Sequence, residues 1–232
     1  MSNQIRLPDT EAAARTDVAL TAPPVSIADP APLGLAAFAM TTFVLSVFNT
    51  NLLNSSLEPA VLPLALFYGG LAQLLAGMWE FRKGNTFGAT AFVSFGAFWL
   101  SFYWLVTYDA AKLAGPDAHK AVGVFLLAWA IFTLYMTVAA MRTSGAVLAV
   151  FVALTVAFVL LAIGKFATGT AAKDWTHFGG WVGLLTAALA WYASFAGVTN
   201  GTWGRVVMPT WPLTGTTPLV RTQMASRAPT TN

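Results

Sequence analysis

The sequence predicts an all-α membrane protein, a bundle of six transmembrane helices with both termini cytoplasmic. Three observations carry that reading. First, 57% of the residues are hydrophobic and only 9% are charged, whereas a soluble domain carries about 25% charged residues to cover its surface. Second, six apolar segments, approximately 33–54, 59–80, 87–108, 120–141, 144–165 and 177–199, approach or exceed the roughly 20 residues needed to cross a bilayer. Third, the basic residues divide unequally between the two sides such a bundle would have. Arg6, Arg15, Arg82, Lys83, Arg142, Arg205, Arg221 and Arg227 share the side of the termini, and Lys112, Lys120, Lys165 and Lys173 lie on the other. Loops rich in Arg and Lys stay in the cytoplasm.

The chain divides into a polar N-terminal tail (1–28), a six-span domain (29–199) and a polar C-terminal tail (200–232). The first tail has no apolar h-region, which predicts no cleavable signal peptide. The second contains Pro209, Pro212 and Pro218 and is expected to be extended. Of the connections between spans, only 109–119 and 166–176 have any length.

The first span opens on "DPAPLGLAAFAMTT". Asp29 is a good N-cap residue, and Pro30 and Pro32 fit a first turn, where a missing N–H costs nothing. A helix start also offers free N–H groups and partial positive charge, which suits an anion. The prolines are equally compatible with merely setting the angle at which the helix begins.

What the spans contain and lack narrows the function. No Asp, Lys or Arg lies near the middle of any span. Glu80 is the deepest charge, and the "EFRKGN" run puts Glu80 and Asn85 at the cytoplasmic interface, where Arg82 or Lys83 is the expected partner of Glu80. Intramembrane charge is otherwise presumed functional. His119 and His177 sit at span ends, which disfavours paired-His haem ligation. No mid-span Lys offers a Schiff base, no Walker-type loop offers an ATP site, and Cys is absent. Nothing in the sequence calls for an enzyme, a cofactor, a metal or nucleic acid. The remaining polarity is uncharged and includes Thr41, Thr42, Asn49, Tyr68 and Gln73. Gln73 needs partners that lipid does not supply. It is either interhelical glue or a group lining a solute path.

Three separated stretches resemble one family, the acetate uptake transporters or succinate–acetate permeases. "PAPLGLAAFAMTT" resembles its N-terminal signature. "FYGGLAQLLAGMWEFRKGNTFGATAFVSFGAFW" resembles its second and third spans, and "HFGGWVGLLTAALAWYA" its last span. The resemblance covers roughly residues 29–200 and implies six-span subunits, assembled as homohexamers in the cell (plasma or inner) membrane. Each subunit would have its own pathway for acetate and, in some members, succinate or another small carboxylate. It assigns Phe38, Phe95 and Leu154 to a hydrophobic constriction, and it puts Asp29, Pro30, Pro32 and Gly34 in the pathway's N-terminal motif. Thr41, Thr42, Asn49, Tyr68 and Gln73 are the further pathway candidates. Two positions depart from the family pattern. Asp29 stands where Asn is usual and adds a charge that would repel an anion. Phe95 stands where Tyr is frequent and lacks its hydroxyl.

An unpaired carboxylate costs several kcal/mol to bury in a dry interior. It is either held by helix N-termini and by Asn, Gln, Thr and Tyr donors, or it crosses neutral with its own proton. The sequence leaves both open. A urea or amide channel and a non-transporting membrane sensor are the alternative functions.

Overall fold

The computed structural model describes residues 27–109, 112, 113, 115 and 117–214. The outlying parts of both tails, with Arg6, Arg15, Pro218, Arg221 and Arg227, lie outside the described residues. Among the described residues, six helices are long and apolar enough to cross a membrane. They are α1 (Ala31–Asn49), α2 (Ser55–Lys83), α3 (Thr86–Asp109), α4 (Ala118–Ala140), α5 (Gly145–Phe166) and α6 (Gly169–Trp203). The chain is a multi-pass membrane protein of the predicted class.

Two boundaries differ from the sequence reading. α1 ends at Asn49 rather than near 54, because Asn51 adopts φ of 59°. That left-handed conformation is open to Asn at little cost and turns the chain out of the helix. Asn51 N–H closes onto the Phe48 carbonyl at 3.0 Å. At the same end of the molecule, 166–176 is mostly helix, since α6 starts at Gly169 and runs for 35 residues. Lys173 and Asp174 lower the local hydropathy, but hydropathy reports burial in lipid and not helix formation.

α2 is helical but not uniform. It opens as a 3₁₀ turn, Ser55–Val61, capped by Asn54 Oδ1 accepting from Ser56 N–H at 2.9 Å. It is α-helical over Leu62–Leu66, widens to a π turn over Phe67–Ala72, and returns to α over Gln73–Lys83. A π turn carries one extra residue, which rotates every later side chain by about 100° relative to the first half. Gln73 is the first residue after it. Gly84, at φ of 78°, then ends the helix in a left-handed cap.

The six helices close a ring. α1 packs between α2 and α6, α6 against α5, α5 against α4, and α2 against α3, with a looser seam between α3 and α4. Lipid gives helices no hydrophobic reason to associate, so small residues that admit close backbone approach decide these contacts. A Cβ on Gly180 of α6 would lie 2.6 Å from Thr50 N at the end of α1, and one on Gly69 of α2 would overlap the Thr41 side chain. Ser194 of α6 donates to the Pro32 carbonyl at 2.6 Å and fixes the other end of the α1–α6 pair. Thr137 and Thr155 hydroxyls, 2.9 Å apart, tie α4 to α5.

Beyond Asn200 the chain stays helical to Trp203 and then folds back. Asn200 Oδ1 accepts from Val207 and Met208 N–H at 2.7 and 2.9 Å, and its Nδ2 donates to the Met208 carbonyl. Tyr192 Oη donates to the Pro209 carbonyl at 2.7 Å. The carbonyls of Trp211 and Thr210 then accept from Gly145 and Ala146 N–H. Ser144 Oγ accepts from Val147 N–H at 3.3 Å. The first N–H groups of α5, which have no partner within their own helix, are thereby satisfied.

Adding a methyl group at Gly180 is expected to force α6 away from α1, because the atom it meets is backbone. Gly180→Ala should cost about 1–3 kcal/mol, the usual range for overpacking, read as a lower thermal midpoint in detergent. Gly201→Ala, where a Cβ meets nothing within 4 Å, should not.

Candidate functional site

The ring interior is apolar and aromatic at one level. Phe95 of α3 is 3% exposed. Its ring lies 5.7 Å from Phe38 of α1, 6.0 Å from Phe151 and 6.5 Å from Phe158 of α5, and 5.5 Å from Phe132 of α4. Offset and edge-on pairs of this kind add packing energy beyond their buried area. Gly34, a residue of the N-terminal motif, allows this closure: a Cβ there would lie 2.7 Å from the Phe92 ring.

Beside Phe95 is a void of about 20 Å³, lined by Leu35, Phe38, Gln73, Ala91, Phe92, Phe95, Val150, Phe151 and Leu154. This space holds about one water molecule. Phe38, Phe95 and Leu154, assigned to a constriction by resemblance, therefore share one cavity wall from three different helices. Gln73 is the only polar residue among those lining it. It is 1% exposed, and its Oε1 has no hydrogen-bond partner among the described residues. An unpartnered buried acceptor costs roughly 1–3 kcal/mol.

The other pathway candidates lie elsewhere. Thr41 is fully buried, and its hydroxyl donates to the Ala37 carbonyl at 2.9 Å, an internal helix bond. Thr42 Oγ1 is buried without a partner among the described residues, and Tyr68 is half-buried. None of these three lines the void. Asn49 lines a much larger space at the end of the molecule opposite the termini.

That space is an open vestibule of about 700 Å³. Its walls include Asn49 at the end of α1, Asn51 just beyond it, Glu58 of α2, His119 of α4, Lys165 of α5, and Lys173 and His177 of α6. Two lysines face one glutamate, and among the described residues neither lysine has a carboxylate within 4.0 Å. Such a mouth attracts anions over roughly a Debye length of 8–10 Å. The sequence reading used these lysines only to orient the chain. The signal that they form a mouth was one lysine just before 166–176 and one within it, and it needed the fold of α6 over α5 to be read.

At the termini's end, two expectations are corrected. Asp29 is not the N-cap of α1; Pro30 is. The Asp29 carboxylate sits one residue earlier, accepts from Ala31 N–H at 3.0 Å, and pairs with Lys83 Nζ at 2.7 Å. Its charge is therefore balanced by the end of α2, 54 residues away. Glu80 is correspondingly not paired with Arg82 or Lys83. It is fully buried, and its Oε2 accepts from Asn85 Nδ2 at 2.8 Å, while Oε1 has no partner among the described residues. Asn85 caps α3 with its own Oδ1, accepting from Gly88 N–H at 3.1 Å. Lys83 lies one turn beyond Glu80 but is drawn to the α1 start, where water still reaches the pair.

The arrangement defines a class: a small-solute pathway protein with a basic mouth, a dry aromatic closure and no charge between. The comparisons agree. The family model described as the GPR1/FUN34/yaaH family matches residues 13–215, and the chain belongs to that family. It is 42% identical over 183 residues to the succinate-acetate/proton symporter SatP of Escherichia coli K12, covering 79% of this chain and 95% of the symporter. It is 44% identical to the ammonia transport outward protein 2 of Saccharomyces cerevisiae, covering 77% of this chain and 64% of that protein. Among solved structures, the bacterial acetate channel SatP superposes with a TM-score of 0.73 at 40% identity, over 80% of this chain and 99% of the channel.

The Glu80–Asn85 cluster and the Asp29–Lys83 pair should differ in weight. Asn85→Ala removes a helix cap and the one hydrogen-bond partner that a buried carboxyl has among the described residues, and is expected to cost about 2–3 kcal/mol. Lys83→Met breaks a partly exposed ion pair and should cost less than about 1 kcal/mol. Thermal unfolding of both variants checks the order.

Proposed function

We propose that the chain carries acetate and related short carboxylates across the cell membrane. The observation that carries this reading is the convergence of Phe38, Phe95, Leu154 and Gln73 on one void behind a vestibule lined by Lys165 and Lys173. The lysines collect carboxylates, the ring closure keeps bulk water and ions out, and a solute passes when the rings part. The relatives' names, succinate-acetate/proton symporter and acetate channel, support the substrate class. No step in this reading breaks a covalent bond, so the protein is a transporter and not an enzyme. Residues 29–199 are the core of the transport unit, and residues 207–213 of the C-terminal tail brace it by folding back on α6 and the start of α5. By resemblance the subunits assemble as a homohexamer in the plasma or inner membrane, with one pathway each.

Ammonia is the second reading, favoured by the yeast relative named for its outward transport. Two lysines at the mouth repel ammonium and oppose that reading. Urea or amide conduction and ligand sensing without transport are the other outcomes that flux measurements separate.

Purified protein in lipid vesicles is expected to carry radiolabelled acetate above protein-free vesicles at mildly acidic pH. Urea or ammonium flux in its place, or no flux, overturns the proposal. Phe38→Ala and Leu154→Ala widen the closure and should raise lactate or succinate flux relative to acetate. If these side chains only pack, truncation costs about 2–5 kcal/mol of stability and the flux ratio stays unchanged.

Both termini are proposed to be cytoplasmic, on the strength of the Arg asymmetry. A cysteine replacing Lys112 should react with an impermeant thiol reagent added outside intact cells, and one replacing Arg142 should not. The reverse labelling overturns the orientation.

A further inference from the structure

We infer that residues 207–213 are a latch on the pathway. Seated on the start of α5, they hold that helix in the register that keeps the aromatic closure tight, and their release loosens it. This rests on the carboxylate-transport reading above and adds an element that regulates the same pathway.

At this end α5 has little to anchor it among its own residues. It is the most apolar of the six spans. It has no polar side chain from Gly145 to Leu154, and no Trp, Tyr, Lys or Arg precedes Lys165 in it. The nearest basic residue, Arg142, belongs to the exposed turn before the helix. Depth and tilt in hydrocarbon are fixed by neighbouring helices and by interfacial Trp, Tyr, Lys and Arg. α5 takes such an anchor from the tail. Gly145 and Ala146 N–H donate to the Trp211 and Thr210 carbonyls at 2.7 and 3.2 Å, and Leu213 N–H donates to the Thr143 carbonyl at 3.0 Å. The strap lies so close that a Cβ on Gly145 would be 3.2 Å from Trp211 Cβ. Its other anchorage is on α6. Asn200 holds Val207 and Met208 through three hydrogen bonds. Tyr192 donates to the Pro209 carbonyl, and its ring stacks on the Trp211 indole at 5.9 Å.

The strap is also strained and accessible, as a releasable element must be. Trp211 adopts φ of 52°, a left-handed conformation that is an outlier for a bulky residue. Such strain persists only where the surroundings hold it, and it collects at switch regions. Trp211 is 57% exposed, so the strap can lift without opening a cavity in the core.

Lifting it reaches the closure through α5. Val150 and Phe151 line the void less than two turns from the strap. Just beyond them, the Thr155 hydroxyl meets that of Thr137 of α4 at 2.9 Å. That contact acts as a pivot. When the strap lets go, the start of α5 swings about it, and Phe151 withdraws from the Phe95 ring, 6.0 Å away while the strap is seated. The closure then passes larger solutes.

The test uses a reversible fastening. The chain contains no cysteine, so an introduced pair reports on the strap alone. A disulfide holds its Cβ atoms about 3.5–4.5 Å apart, and Gly145→Cys with Trp211→Cys needs the strap to give only slightly. Full-length protein in lipid vesicles is assayed for lactate and acetate flux. Reduced, the double variant lacks the indole stack, and its lactate-to-acetate ratio should exceed that of wild type. Oxidised, the strap is refastened and the ratio should return to the wild-type value. Tyr192→Phe keeps the ring and removes one hydroxyl. It should raise lactate flux relative to acetate about fivefold, the weight of one ordinary net hydrogen bond. A strap that only stabilises the fold would shift the thermal midpoint and leave every ratio unchanged, and that result overturns the inference. Failure of the folded pair to cross-link on mild oxidation also overturns it, since the strap is then not seated on α5. A wild type that carries no acetate overturns the transport reading itself, and this inference with it.

Discussion

The close approach of α1 to α2 and α6 is the contact on which the rest of the structure depends. It is made where Gly69 meets Thr41 and where Gly180 meets the end of α1. In lipid, two helices gain nothing from burying leucine, which is as well placed among acyl chains. They gain dispersion only if their backbones come close, and glycine permits that. Because α1 is drawn inward on both sides, Phe38 reaches the Phe95 ring, and the centre of the bundle closes as a stack of aromatics. A wider α1–α6 spacing would leave a hole there.

Charge is distributed by the same economy of solvation. Every ion pair among the described residues, Asp29–Lys83, Asp109–Lys112 and Asp117–Lys120, lies outside the central level of the bundle. The Asp117 carboxyl, hydrogen-bonded to Lys120, is held below its usual range. Between the two ends the lining of the void carries no charge. A carboxylate crossing that level would be stripped of water with nothing to replace it, at several kcal/mol. The lysine-lined vestibule and the closure thus differ in kind: one is charged and open to water, and the other is apolar and closed.

α2 shows how local irregularity serves the interior. Pro59 lies inside its 3₁₀ opening and Pro63 in the first turn of the α-helical stretch that follows, where a missing N–H costs little. The π turn over Phe67–Ala72 then resets the helical register. Without the extra residue, Gln73 would face another direction by about 100°, and the void would be lined by carbon alone. The helix keeps its lipid-facing and interior surfaces in both halves, and the amide reaches the centre.

The number of spans, their approximate limits and the absence of buried charge were legible in the sequence, because each follows from the transfer of side chains into hydrocarbon, a property of composition along the chain. The start of α1 was legible too, since proline tolerates few backbone conformations. The family resemblance brought Phe38, Phe95 and Leu154 together before any coordinates did. Pairings across the bundle were not legible. Asp29 was read as the N-cap of α1 and Glu80 as a partner of Arg82 or Lys83, because adjacency in sequence was the only distance available. Tertiary packing gave Lys83 to Asp29 and Asn85 to Glu80, folded residues 205–214 back over the start of α5, and turned Gln73 into the void. Composition specified which residues leave water. Only the closing of the ring, through backbone contacts between helices remote in sequence, decided which of them meet.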